Sequence, residues 1–346
     1  MRLTPDEIKR QTRCLWQRSF PDDTARFLDI YFEEKYRADN NLTLQREGEV
    51  VSAMQLLPYR LKIFGETLHA GYVSGLCVAE SHRGQGLAGK LLRQAHLKLR
   101  REGGAVSFLI PGDEGLRRFY EQPAHGAYQT ATFRRIVPVV DTGLFADDVS
   151  LNLLHTWSEP LYAFYHQQTR GDFALHVAEN DFFAAVQSVY AEGGLVVEAR
   201  KQNRLVGLCL ATKTVDGRGL LPALTATDEG VKNVLVREVK RLMGCGEVYM
   251  KVPCEAAALD AVPYAMARVV DVGCFLSAVA RRHPEFDMVV GVDGDLDVPE
   301  NNGIYHIHHG CVDLTDDAPV QVLTPGGLAT LFLGAHPMAM DLMLDE

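Results

Sequence analysis

The chain has 346 residues, 47% hydrophobic and 23% charged, which is enough apolar material for two or three domains. Its net charge of −10, from 45 acidic against 35 basic residues, argues against nucleic acid or an anionic membrane as partner and mildly favours amine-bearing ligands. Seven scattered cysteines without a CxxC pair exclude a disulfide framework or cysteine zinc site, and the charged start and lack of any apolar run near ~18 residues predict a cytoplasmic protein without signal peptide or membrane span.

In chain order, residues 5–19 predict a helix, opened by Thr4-Pro5-Asp6-Glu7 with proline and acids in its first turn. A second helix is expected to start near Asp22, with Phe27, Ile30 and Tyr31 on one face. Strands follow at 42–46, 50–57, 59–64 and 68–78, with turns at Glu47-Gly48-Glu49 and Gly65. From 87 to 101 the period changes to 3.6, and Leu87, Leu91, Leu92, Ala95 and Leu99 form one apolar stripe that ends at Gly103-Gly104. A buried strand at 105–110, a loop with Pro111 and Gly112, and a short helix at 114–120 complete the unit.

That order recurs. The run ARKQNRLVGLCLA (199–211) echoes LQREGEVVSAMQL (44–56), and GVKNVLVREVKRLMGCGEVYMKVP (230–253) echoes AGKLLRQAHLKLRREGGAVSFLIP (88–111). Matching order, spacing and punctuation suggest a duplicated domain. From about Pro263 the grammar differs: strand, polar turn, strand, then a short helix at 326–333 and a methionine-rich tail, which predicts a small α+β unit.

The most informative segment is LCVAESHRGQGLAGKLL (76–92), which sets three glycines between a buried strand and an amphipathic helix. Glycines let the backbone approach a ligand, and the helix N-terminus adds partial positive charge, so the segment suits a pyrophosphate, with Arg83 as a cation at the rim. Gly84-x-Gly86-x-x-Gly89 spells a dinucleotide fingerprint, but about five mostly polar residues (Ala79–Arg83) separate it from the strand. Gly84-x-x-x-x-Gly89-Lys90 lacks the Ser or Thr of a P-loop, because position 91 is leucine. The third spelling is Arg83-x-x-Gly86-x-Ala88, preceded by a hairpin and strand and followed by helix, strand and the pair Phe119-Tyr120.

On these residues the chain resembles the GNAT acetyltransferases, and in its three-part plan the Eis (enhanced intracellular survival) type. The resemblance implies a mixed α/β (α+β) fold: tandem GNAT domains with central sheets flanked by helices, at 1–139 (catalytic) and 140–262 (degenerate), then a unit similar to sterol carrier proteins at 263–346. It implies acetyl-CoA as co-substrate, with Leu76, Cys77 and Val78 holding the pantetheine arm. Arg83, Gly84, Gln85, Gly86, Leu87, Ala88 and Gly89 would cradle the pyrophosphate, and Gly115 and Leu116 would line the cofactor. Tyr120 matches the family's general acid, and the terminal carboxylate at Glu346 its base. The implied reaction is acetyl transfer to a primary amine of a polyamine-like or aminoglycoside acceptor, in a homo-oligomer, hexameric by family resemblance. Acetylation of protein lysines, or acyl-CoA or lipid binding without turnover, are the alternatives. The second copy sets Asp228 and Glu229 where the first has its glycine loop, so it should cap its own helix and bind no cofactor.

Metal signals fail. His306, His308 and His309 lack further ligands at supportive spacing, and Asp293-x-Asp295-x-Asp297 starts like a calcium loop but has Val298 and Ile304 at the required glycine and glutamate positions. The methionines near the end suit packing.

Overall fold

The structure is a computed structural model that describes residues 3–214 and 216–342. Helix α1 (Pro5–Ser19) opens as expected, with the Thr4 hydroxyl accepting from the Glu7 amide at 3.3 Å, and it buries Leu15 and Trp16. The second helix, α2 (Ala25–Ile30), starts three residues later than expected, because Thr24 provides the cap, accepting from the Phe27 amide at 3.1 Å. Asp22 and Asp23 are thereby left in the turn between the helices, and the Trp16 indole N–H donates to Asp23 at 2.6 Å.

Strands β1 (Asn41–Arg46), β2 (Glu49–Ile63) and β3 (Glu66–Val78) form an antiparallel meander. The sequence suggests a break at Pro58, yet β2 runs unbroken through it. Pro58 faces Gly71 of β3; on its other side β1 ends opposite Gln55 and the strand Ala174–His176 begins opposite Arg60. The proline thus falls in a gap between two partners, where no ladder donor is required. Helix α3 (Leu87–Arg101), strand β4 (Gly104–Leu109) and helix α4 (Glu114–Glu121) follow, and α3 buries the predicted stripe of Leu87, Leu91, Leu92, Ala95 and Leu99.

The first sheet runs β1-β2-β3-β4, then Met266–Val269, then Gln129–Thr130, with Ala174–His176 added to the outer part of β2. The second repeats the plan: the hairpin Leu195–Lys201 and Arg204–Lys213, strand Gly219–Ala226, helix Glu229–Met243 and strand Val248–Cys254. Phe133–Pro138 closes against that last strand. Strand pairing therefore crosses the expected divisions at 139 and 262. A four-stranded sheet near the end carries Asp287–Val292 and Gly303–His308 as an antiparallel pair.

These sheets form layers. One face of the first sheet packs on Leu91, Leu92, Ala95 and Leu99 of α3. Its other face shares a core with Phe275 and Val279 of the helix Val272–Arg282, Leu328 and Phe332 of the helix Pro325–Leu333, and Val290 and Ile307 of the last sheet. No helix among the described residues is long and apolar enough to cross a membrane.

Candidate active site

Strands β3 and β4 pair in parallel from His69 opposite Gly104 to Tyr72 opposite Phe108, and there the pairing stops. Beyond it β3 continues to Val78, pairing with β2 alone among the described residues, so its other edge is open. A bulge sits in this stretch: Ala53 faces Cys77 and Gln55 faces Ser74, leaving Gly75 and Leu76 to share Met54. Gly75 has φ +61°, and a Cβ there would lie 2.0 Å from the Trp16 ring, so only glycine lets α1 pack on the bulge.

The parting strands open a cavity of about 1160 Å³. Of the residues expected at the site, Leu76, Cys77, Val78, Arg83, Gly84, Gly86, Leu87, Ala88, Leu116 and Tyr120 line it. Gln85, Gly89 and Gly115 lie outside its wall. The Gln85 side chain instead accepts from Arg46 at 2.8 Å, and a Cβ on Gly89 would meet the Ala124 carbonyl oxygen at 2.4 Å, so that glycine admits the chain returning beneath α3. Glu346 lies outside the described residues.

The glycine loop fits a diphosphate. Gly84 and Gly86 have φ +75° and +70°, and Cβ positions at both face open space. Gly86 begins α3 without a capping side chain among the described residues, so its first amides are open to an acceptor. The second copy differs as its sequence predicts: the Asp228 carboxylate accepts from the Val231 amide at 2.9 Å. Its strands Gly219–Ala226 and Val248–Cys254 also part after two paired residues, but the gap, about 200 Å³, is lined by the chain's own Met340, Asp341 and Leu342.

Tyr120 is 8% exposed, and its hydroxyl has no hydrogen-bonding partner among the described residues. Burial, and then the neighbouring Cys77, push it up to about 12, so it holds its proton at neutral pH. Burial also pushes the Cys77 thiol up to about 12. The acids Asp22, Asp23 and Glu192 reach the same cavity beside the rings of Trp16, Phe20 and Phe27. Sequence reading missed this aromatic and acidic wall, although Asp22-Asp23 between two helices was its visible trace. It also missed His125, which stacks on Phe119 at 3.7 Å between ring centres.

The histidines pair with acids: His306 with Asp287 at 2.7 Å and His308 with Asp313 at 2.9 Å. Asp295 and Asp297 face a buried arginine, Arg268, at 2.6 and 3.4 Å. Among the described residues no group of three or more His, Cys, Asp or Glu is placed to hold a metal ion.

Residues 1–122 match the family model described as an acetyltransferase (GNAT) domain. No curated protein matches the sequence. Among solved structures, a probable N-acyltransferase from Enterococcus faecalis superposes with a TM-score of 0.73 at 14% identity, over 97% of this chain and 90% of that one. Eis1 from Mycobacterium abscessus gives 0.71 at 15%, over 97% and 89%, and a GCN5-related N-acetyltransferase from Anabaena variabilis 0.71 at 16%, over 94% and 87%. At such identities the likeness is one of fold. The chain therefore carries an acetyltransferase domain of the GNAT type in its first 122 residues, within a mixed α/β fold of tandem GNAT-like sheets.

Proposed function

We propose that this protein transfers the acetyl group of acetyl-CoA to a primary amine on a small polycationic acceptor of the polyamine or aminoglycoside kind. The pantetheine amides lie along the open edge of β3 at Leu76–Val78, and the diphosphate meets the amides of the Gly84–Ala88 turn with Arg83 at the rim. The amine nitrogen attacks the thioester carbonyl, the carbon–sulfur bond breaks, and Tyr120 gives its phenolic proton to the departing thiolate. The carboxylate at Glu346 takes the amine's proton. Asp22, Asp23 and Glu192 attract the cationic acceptor.

One observation carries this reading: the Tyr120 hydroxyl, unpartnered among the described residues, shares a cavity with the open strand edge and the start of α3. A phenol pushed up to about 12 is a poor acid toward an ordinary thiolate in water. A CoA thiolate shielded from water also gains proton affinity, which brings it closer to the phenol. Residues 263–346 are read as a sterol-carrier-like unit, and a hexamer in the cytoplasm as the working form; light scattering tests the assembly.

The test mixes protein and acetyl-CoA with aminoglycosides, polyamines and lysine peptides and follows free thiol. Release with at least one amine is expected, and Tyr120→Phe should lower kcat by about 10²–10⁴ while acetyl-CoA still binds. Unchanged thiol across the panel despite bound acetyl-CoA would leave the non-catalytic alternative in its place.

A further inference from the structure

Tyr120 has no hydrogen bond to fix its hydroxyl among the described residues, so its aim depends on what holds the ring and the end of α4. Tyr128 does both. Its amide donates to the Tyr120 carbonyl at 2.9 Å, and its ring meets the Tyr120 ring edge-on with centroids 6.1 Å apart. The connecting turn passes through Gly126 at φ +101°, where a Cβ would lie 2.7 Å from the Tyr128 ring and 3.0 Å from His96. The carbonyl of Gly126 accepts from Arg268 at 2.8 Å.

Tyr128 is itself held by a chain of buried polar groups whose direction can be assigned. Asp297 beside Arg268 is an acceptor, so His96 donates to it from Nδ1 at 2.7 Å. Burial, reinforced by the Arg268 charge, pushes His96 down to about 4, so the ring is neutral and its Nε2 accepts from the Tyr128 hydroxyl at 2.7 Å. The Tyr128 oxygen in turn accepts from Ser107 at 2.7 Å. At the far end Arg268, 1% exposed, donates to Asp295 at 2.6 Å, and Asp295 also accepts from the amides of Asp297 and Val298 and from Asn301.

Groups this costly to bury give a core no advantage over aliphatic packing, but they fix a single arrangement. We propose that the buried cluster of Arg268, Asp295, Asp297 and His96 acts through Tyr128 as a positioning device for Tyr120, so that a loop far downstream in the sequence sets the aim of the catalytic phenol. This rests on Tyr120 being the general acid.

A double-mutant cycle on the full chain tests it, with acetyl-CoA and kanamycin followed by thiol release, alongside NMR of tyrosine labelled with ¹³C at Cζ. Tyr128→Phe, which keeps the ring and removes the hydroxyl, is expected to lower kcat about tenfold with KM for acetyl-CoA within about twofold. It should add nothing in a Tyr120→Phe background, and should move or broaden the Tyr120 Cζ resonance while that of the distant Tyr249 stays fixed. Ser107→Ala, a milder change at the end of the chain, is expected to shift the same resonance in the same direction. An unmoved Tyr120 resonance in both variants, or equal loss of kcat in both backgrounds, overturns the positioning role while Tyr120 remains the acid. Full turnover by Tyr120→Phe overturns the acid and, with it, the catalytic meaning of the cluster.

Discussion

At the scale of single residues, burial does most of the tuning. His96 is fully enclosed, and its proton affinity falls from the ordinary 6.5 to about 4. The unfolded chain binds a proton at this residue below about 6.5, whereas the folded chain does not until about 4. Between those values the unfolded state holds more protons, so stability is full above about 6.5 and is lost as pH falls toward 4. Urea unfolding at pH 6.5 and 5.0 should show a loss of about 1.5 kcal/mol from this group. His96→Gln should flatten that slope, and equal slopes in the two proteins would assign the effect elsewhere. Tyr120 was legible as a residue because it lies on the short helix after a buried strand, in a local pattern. The cluster behind it was not: Asp295 and Asp297 presented the spacing of a failed calcium loop, and their true partners, Arg268 and His96, are 27 and 201 residues away.

At the scale of elements, two helix starts that occupy equivalent places do opposite things. Gly86 leaves the first amides of α3 open, while Asp228 satisfies those of its counterpart. Asp228→Ala should cost about 1 kcal/mol of stability and leave CoA affinity unchanged. Gly86→Ala should cost about 1–2 kcal/mol through its left-handed backbone and weaken CoA binding as well. Calorimetry on both separates the roles, and weaker CoA binding in the Asp228 variant would contradict them. This contrast was readable in sequence, since caps and glycine turns are local chemistry. Pro58 shows where local reading misleads: a proline breaks a strand only if its amide is needed, and that depends on partners as distant as Ala174–His176.

At the scale of the whole molecule, tertiary pairing ignores the order in which units appear. Met266–Val269 lies between β4 and Gln129–Thr130, and the helices Val272–Arg282 and Pro325–Leu333 cover one face of the first sheet. The alternation of helix and strand announced two similar units and a third of another kind, but no local signal tells a strand which sheet to join. A chain cut after residue 262 loses the strand Met266–Val269 and the packing of Phe275, Leu328 and Phe332, at roughly 1.5–3 kcal/mol for each such side chain. It should show neither a cooperative thermal transition nor CoA binding; a sharp transition would mean that the first sheet stands alone.

The strand Ala174–His176, hydrogen-bonded to Arg60–Lys62 of β2, has a consequence for how such a protein can evolve. A second copy of a fold is ordinarily dispensable, and deletion is its common fate. Here, removing it bares the rim of β2 and strands Phe133–Pro138 without its neighbour Val248–Cys254, two raw edges of the kind on which chains stick to one another. Selection against such edges is enough to retain the second sheet, which stays as a bandage on the first.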